Sequence, residues 1–320
     1  MTLLILFLAL LLDRLVGDPD ALWQRVPHPV VLFGRAIGLA DRLFNDRRMS
    51  GATRRFNGAA SIAVLIAASV FLGVVLHAVL ARMGLAGLLA EIVVVAVFLA
   101  QKSLADHVRA VADGLRGGGL EGGRRAVAMI VGRDPATLDA PAICRAAIES
   151  LAENFSDGVV APALYYAVFG LPGLFAYKML NTADSMIGHR NEKYADFGRA
   201  AARADDVANW PAARLSILLI ALGAWLVRGR AAARAALDTA LRDAGLHRSP
   251  NSGWPEAAMA GALGVGLAGP RIYGGVRVDE PLMNASGRSA ATAGDIDNAL
   301  AVFSAACAVL AGLVLLAWLF

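Results

Sequence analysis

Residues 58 to 80 contain no Asp, Glu, Lys or Arg, and a helix of that length reaches across the roughly 30 Å hydrocarbon layer of a bilayer. Such a run constrains everything around it. Inside hydrocarbon every backbone polar group needs a partner within the chain, which favours helices as the crossing element. A second apolar run at 85–100 follows a short segment around Arg82, so the two read as a transmembrane hairpin. Further apolar runs occupy 2–16, 211–227 and 299–320. Hydrophobic residues make up 58% of the chain and charged ones 18%, against an apolar share of roughly 45–50% in soluble domains. The expected class is all-α: a polytopic integral membrane protein with about five to six membrane segments plus cytoplasmic helices, residues 1–320 forming a single membrane domain.

The run at 2–16 has no basic stretch before it, ends in Asp13 and Arg14, and is followed by no small-x-small cleavage site, so it reads as a retained first helix. Seven arginines (Arg25, Arg35, Arg42, Arg47, Arg48, Arg54 and Arg55) lie in the 17–57 connection, and Arg82 alone in the hairpin turn. The excess places that connection in the cytoplasm and the turn outside. The net charge of +4 suits arginines beside anionic lipid or phosphorylated ligands. No basic run is interleaved with aromatics, so no nucleic-acid partner is expected. Cys144 and Cys307 are too few for a disulfide framework and read as structural thiols.

Residues 101–148 form a polar helical connector: helix, Gly-rich turn, helix, and a stop at Asp134-Pro135. GGGLEGG lacks the Gly-Lys-Ser/Thr of a phosphate loop and reads as a flexible link. A further helix starts near Leu138, with Thr137 or Asp139 as cap. The motif-dense core occupies 149–275. A full crossing at 158–178 would separate the polar cluster at 149–157 from Lys193, Arg199 and Arg203, whereas Pro162 and Leu171-Pro172-Gly173 mark a broken or re-entrant pair of half-helices. After a loop at 249–253, a helix opens with Pro255 at its first position. Its small residues Ala257, Ala260, Gly261 and Gly264 permit close backbone approach.

Three polar clusters mark the core. Glu149, Glu153 and Asp157 recur every four residues, with Asn154 beside them. Like charges at that spacing call for a cation, either Mg²⁺ or arginines from neighbouring helices. Lys178, Asn181, Asp184 and Ser185 share a stripe suited to an anionic ligand and oxygen ligation, although such stripes also join membrane helices. Arg199, Arg203 and Asp206 share one face, with Asp205 and Asn209 beside them. Asp-Asp-x-x-Asn fits Mg²⁺ and phosphate, while Arg and Asp one turn apart also simply pair. Arg214 follows Pro211 where a helix re-enters the apolar layer, and the loop with Ser249, Pro250, Asn251 and Gly253 offers backbone donors to an anion. His28 stands between two prolines, either a packed loop residue or a substrate contact. Glu91 and His77 lie inside apolar runs, as site candidates or as each other's partner. No Ser or Cys nucleophile pattern and no zinc pattern is present, which favours metal-assisted phosphate chemistry over covalent catalysis.

The ordered set DRLVGDP, HPVVLFGRAI, the segment from Glu149 to Leu215, and SPNSGWPEAAMAGALGVGLAGPRIYGG resembles the CobD/CbiB family, the membrane-bound cobinamide-phosphate synthases of cobalamin biosynthesis. The resemblance covers motifs from residue 13 to 275; the 101–135 connector and the last helix carry none. It implies an amide-forming ligase in the inner (cytoplasmic) membrane. The enzyme would join aminopropanol, or its phosphate, to a propionate carboxylate of adenosylcobyric acid, using ATP and Mg²⁺, possible neighbours being other late enzymes of that pathway. Residue chemistry then allots metal to Glu149, Glu153, Asp157, Asp205 and Asp206. Catalysis falls to Asp184, Lys178 and Arg203, and substrate or phosphate binding to His28, Asn154, Asn181, Arg199, Arg214 and Asn251. Two other classes share parts of this pattern: a membrane sensor of the distantly similar β-lactamase-induction type, and a transporter for an anionic solute.

Overall fold

A computed structural model describes residues 1–19, 23–131, 134–269, 271–273, 276–278 and 280–320, the two strands at 271–273 and 276–278 by backbone alone. Motif residues Asp20, Gly132, Arg133, Pro270, Gly274 and Gly275 lie outside the described set. Eleven helices are described: α1 Thr2–Val16, α2 Pro29–Phe44, α3 Gly51–Ala81, α4 Leu85–Val97, α5 Gln101–Val127, α6 Ala140–Phe155, α7 Ala161–Ile187, α8 Arg199–Arg228, α9 Arg230–Asp243, α10 Gly253–Leu263 and α11 Ala293–Leu319. Five helical stretches are long and apolar enough to cross a membrane: Gly51–Ala81, Leu85–Val127, Ala140–Ile187, Arg199–Arg228 and Ala293–Leu319. The class is therefore the expected multi-pass helical one. Two strand pairs were not foreseen, β1 (Leu267–Ala268) with β4 (Leu282–Met283) and β2 (Arg271–Tyr273) with β3 (Val276–Val278), both antiparallel.

Helix starts follow local chemistry. Ser50 and Asp139 accept backbone N–H bonds as N-caps of α3 and α6, the helix's first amides having no intrahelical acceptor. Pro255 is the third residue of α10 rather than the first, because Ser252 holds the N-cap position.

The chain divides into two compact units, one of residues 1–100 and 161–209 with Phe320, the other of 101–160 and 210–319. In the first unit α7 breaks at Gly170, whose φ of 63° and ψ of −153° is a conformation closed to residues with a Cβ. The helix folds back there: a methyl on Gly173 would stand 2.7 Å from the Tyr165 carbonyl oxygen, and the Tyr165 and Tyr177 rings stack at 5.0 Å. The chain is thus broken into two packed half-helices beside Pro172, where the sequence marks the break. α3 runs beside it, Gly73 admitting the backbone of Leu171 and Pro172. Phe33, Phe98 and Phe175 pack together in the core. His77 and Glu91 do pair, Nδ1 lying 3.1 Å from Oε2, and the buried Tyr166 hydroxyl donates to the same carboxylate at 2.7 Å. That satisfies a charge whose burial alone is costly.

In the second unit α5 reverses at Gly119 (φ 58°, ψ −150°), and a methyl on Gly122 would lie 2.2 Å from the Gly114 carbonyl oxygen. The glycine stretch is thus a close-packed helical hairpin, not a flexible link. α10 lies against α9 through Gly261, where a methyl would meet the Ala235 carbonyl at 2.2 Å, as its small residues foretold. The Phe155 and Phe303 rings meet edge to face at 5.5 Å.

Candidate functional site

Each unit carries a polar cluster. In the first, α7 and the start of α8 bring Tyr177, Asn181, Asp184, Asp205, Asp206 and Asn209 together. The Tyr177 hydroxyl donates to Asn209 Oδ1 at 2.7 Å, and Asn209 Nδ2 donates to Asp205 Oδ2 at 2.8 Å. Asp205 is 7% exposed, yet its Oδ1 has no hydrogen-bond partner. The Asn181 side chain lies beside the Asp205 carboxylate, and the Asp184 and Asp206 carboxylates stand within electrostatic reach. Burying a carboxylate oxygen with neither proton donor nor cation is unfavourable by about 1–3 kcal/mol or more. Oxygen ligands with an unfilled valence are what a hard cation needs. Tyr165 supports the cluster from below by donating to the Ala208 carbonyl at 3.1 Å. Gly188 lets the Asp184 carboxylate lie against the backbone, where a methyl would meet it at 1.9 Å. Lys178 lies on the same helix as Asn181 and Asp184, its backbone carbonyl accepting from Thr182. Arg199 and Arg203 are exposed.

The loop at 188–198 is pinned beside this cluster. Lys193 Nζ bonds Asp41 Oδ2 at 2.7 Å, Arg54 donates to the Lys193 carbonyl, and Arg55 pairs with Asp196 at 3.3 Å. Burial pushes the Asp41 carboxyl up, but hydrogen bonds from Lys193, Asn45 and Tyr194 outweigh it and hold it below the usual carboxylate range. The hydrogen bond to Asp41 raises Lys193. The tie from Asp41 is present above its ordinary value and lost as pH falls through the lowered one; that from Lys193 is lost only as pH rises through the raised one. Both stay charged across the neutral range.

In the second unit Arg214 is gripped on both faces: its guanidinium lies 4.7 Å from the Trp210 ring and 4.7 Å from the Trp254 ring. Nη1 donates to Asn251 Oδ1 at 2.7 Å and to the Trp210 carbonyl at 3.2 Å. The cation is held in one orientation, and its remaining donors form a fork of the kind that suits carboxylate or phosphate. Ser252 donates to Glu153 Oε1 at 2.9 Å. The amides of Asn251 and Ser252 donate to Ser249 Oγ at 3.3 and 3.2 Å, so the loop's expected backbone donors are engaged within the loop itself. The structure thus unites Arg214 with Asn251, two residues the sequence offered only separately, and adds both tryptophans, which the sequence reading missed.

Other expected residues are placed differently. Among the described residues no three His, Cys, Asp or Glu side chains gather closely enough to hold a metal, so the five acidic residues do not form one site. Glu149 is buried and accepts the Ala268 amide at 2.7 Å, a tether for the strand region. Asp157 sits on a π-helical turn at Ser156–Val160, whose wider i to i+5 bonding takes it off the Glu149–Glu153 stripe. Asn154 is exposed and donates back to the Ser150 carbonyl at 2.9 Å. His28 caps α2, its Nδ1 accepting the Val30 amide at 3.2 Å, with Asp18 3.7 Å away and Trp23 on its ring edge.

The comparisons with known proteins decide the family. The model described as CobD/Cbib protein matches residues 6–303. The chain belongs to the CobD/CbiB family. A Sinorhizobium sp. relative named cobalamin biosynthesis protein CobD is 67% identical over 313 residues, covering 98% of this chain and 97% of the relative. Proteins of the same name from Brucella suis biovar 1 (strain 1330) and Rhodobacter capsulatus are 58% and 44% identical. They cover 98% and 96% of this chain, and 96% and 95% of their own lengths. No solved structure matches.

Proposed function

We propose that this chain carries out the ligase step of its family in cobalamin biosynthesis, in the cytoplasmic membrane: ATP-dependent amide formation between a propionate of adenosylcobyric acid and aminopropanol or aminopropanol phosphate. The observation that carries the reading is the extent of similarity. Relatives named cobalamin biosynthesis protein CobD match at 67% identity over 98% of the chain, so the likeness is not confined to apolar helices.

A carboxylate is a poor acyl donor. ATP would first convert the propionate to an acyl phosphate; the amine would then attack its carbonyl carbon, release phosphate and lose a proton. The orphaned Oδ1 of Asp205 would serve as the one carboxylate ligand of a divalent cation, with Asn181 beside it and substrate phosphate and water completing the shell, as Mg²⁺ sites with few protein ligands do. Mg²⁺ bound there would offset charge on the transferring phosphoryl group. Asn209 and Tyr177 hold the Asp205 carboxylate in place through their two hydrogen bonds. Arg214, fixed between two tryptophans, would orient a carboxylate or phosphate, with Asn251 holding its Nη1. Lys178, Arg199 and Arg203 would meet phosphates as cations. Glu153 and Ser252 form a bonded pair that would position polar substrate groups.

The test is amide formation by detergent-solubilised protein given adenosylcobyric acid, ATP, Mg²⁺ and either amine, read from the mass of the corrinoid. An ATP-dependent gain matching one amine is expected and identifies the acceptor. Folded, monodisperse protein that incorporates neither amine, and that fails to rescue a cobinamide-requiring strain, would exclude the ligase.

A further inference from the structure

A second kind of site lies outside both polar clusters, in the furrow between α2 and α3 of the first unit. Two cavities of about 460 and 420 Å³ occupy it. They are adjacent, Ala36 of α2 and Leu65 of α3 lining both, and α4 and α7 close the larger one through Val93, Val97, Phe98 and Phe175. The walls are apolar along the whole length. At one end the furrow closes on Phe33, Phe98 and Phe175, whose rings pack together; at the other it reaches Phe44 and Asn57. α2 contributes 16 residues, a length of about 24 Å at 1.5 Å per residue, which matches an extended acyl chain. Leu39, Val64 and Leu72 on the rim are each half or more exposed, and α3 is long and apolar enough to cross a bilayer. The furrow therefore opens sideways to hydrocarbon rather than to water.

Charge at one end selects the occupant. The turn between α2 and α3 carries Arg47 and Arg48, both exposed. Their guanidinium groups meet no carboxylate among the described residues, in contrast to Arg55, which pairs with Asp196. Asn57 closes the furrow at this same end by donating to the Phe44 carbonyl at 3.0 Å. An apolar slot of chain length that ends at two uncompensated arginines at a membrane boundary is complementary to one molecule that is both: apolar along its chain and anionic at its head.

We infer that the furrow between α2 and α3 holds an acyl chain of an anionic glycerophospholipid of the cytoplasmic leaflet, its phosphate resting on Arg47 and Arg48. This rests on the furrow alone and is independent of the ligase reading. The bound lipid completes the packing of α2 against α3, and the pinned loop at 188–198 shares that end of α3, because Asp196 touches the Gly51 position.

The experiment is lipid extraction and mass spectrometry on the full chain after detergent purification, against Ala60→Trp, which fills the furrow from an exposed helix face, and an Arg47→Gln/Arg48→Gln pair. The wild type is expected to retain about one anionic phospholipid per chain through washing. Ala60→Trp should lose it at least fivefold, and the arginine pair should lose the anionic species while retaining neutral lipid. A phosphatidylglycerol with a diazirine in its acyl chain should crosslink to peptides of α2 and α3, and glycerol phosphate alone should not compete. Overturning results are equal retention of neutral and anionic lipid by all three folded proteins, crosslinks elsewhere only, displacement by glycerol phosphate alone, or occupancy of the furrow by a second protein chain.

Discussion

Asp205 is the residue at which the physical and functional arguments meet, because its carboxylate is unfavourable where it sits. One oxygen is satisfied by Asn209, and the other is buried without a donor. Asp205→Asn keeps the shape and can keep the Asn209 bond while removing the charge. Without divalent cation the variant should therefore be more stable than the wild type, on the order of 1 kcal/mol. It should also lose the Mg²⁺-dependent rise in melting temperature along with amide formation. Melting curves with and without Mg²⁺ check both halves. A variant destabilised equally in the two conditions would make Asp205 a structural residue. Part of this cluster was legible, since Asn209 lies one turn from Asp205 and Asp184 one turn from Asn181. Tyr177 was not, because its hydroxyl reaches Asn209 from another helix. Arg214 and Asn251 were each readable as anion-binding types. Their contact, and the tryptophans that clamp the guanidinium, depend on a loop returning to α8 that no local pattern specifies.

Among the elements, the two broken helices show how composition becomes geometry. α5 and α7 reverse at glycines with nearly identical dihedrals, and in each the chain past the break returns against the chain before it. Pro172 made the break in α7 visible in the sequence. The run of glycines around Gly119 gave the position of the turn but not its tightness, which arises from contact between Gly114 and Gly122. The short strands were invisible for a simpler reason: two or three residues are too few to display an alternating pattern. Gly170→Ala forces a Cβ into a region of backbone space that essentially only glycine occupies, at a cost of about 1–3 kcal/mol. It should lower the melting temperature and loosen the stacked Tyr165 and Tyr177, with a matching loss of Mg²⁺ affinity as Asn209 loses its partner. Val168→Ala, two residues before the turn and 61% exposed, serves as the control and should change neither.

At the scale of the whole chain, the apolar runs predicted the multi-pass helical class, and sidedness is argued from which loops meet. α3 is 31 residues long, about 46 Å at 1.5 Å per residue, so its two ends lie on opposite faces of a bilayer. The 188–198 loop is fixed to the N-terminal end of α3 by the Arg55 to Asp196 ion pair and to α2 by the Lys193 to Asp41 pair. It therefore shares a face with the arginine-rich turn at 45–50, which predicts that α7, broken at Gly170, returns to the side it entered from. Arginine excess assigns that face to the cytoplasm. Cys144 and Cys307 are buried and give little background to a thiol reagent. Single cysteines at Met49, Glu192 and Met83 should then divide two against one. In intact spheroplasts a membrane-impermeant maleimide should label Met83→Cys, while Met49→Cys and Glu192→Cys react only after permeabilisation. Labelling of Glu192→Cys together with Met83→Cys would mean that α7 crosses completely, and the polar residues it carries would then have to be assigned to opposite sides of the membrane.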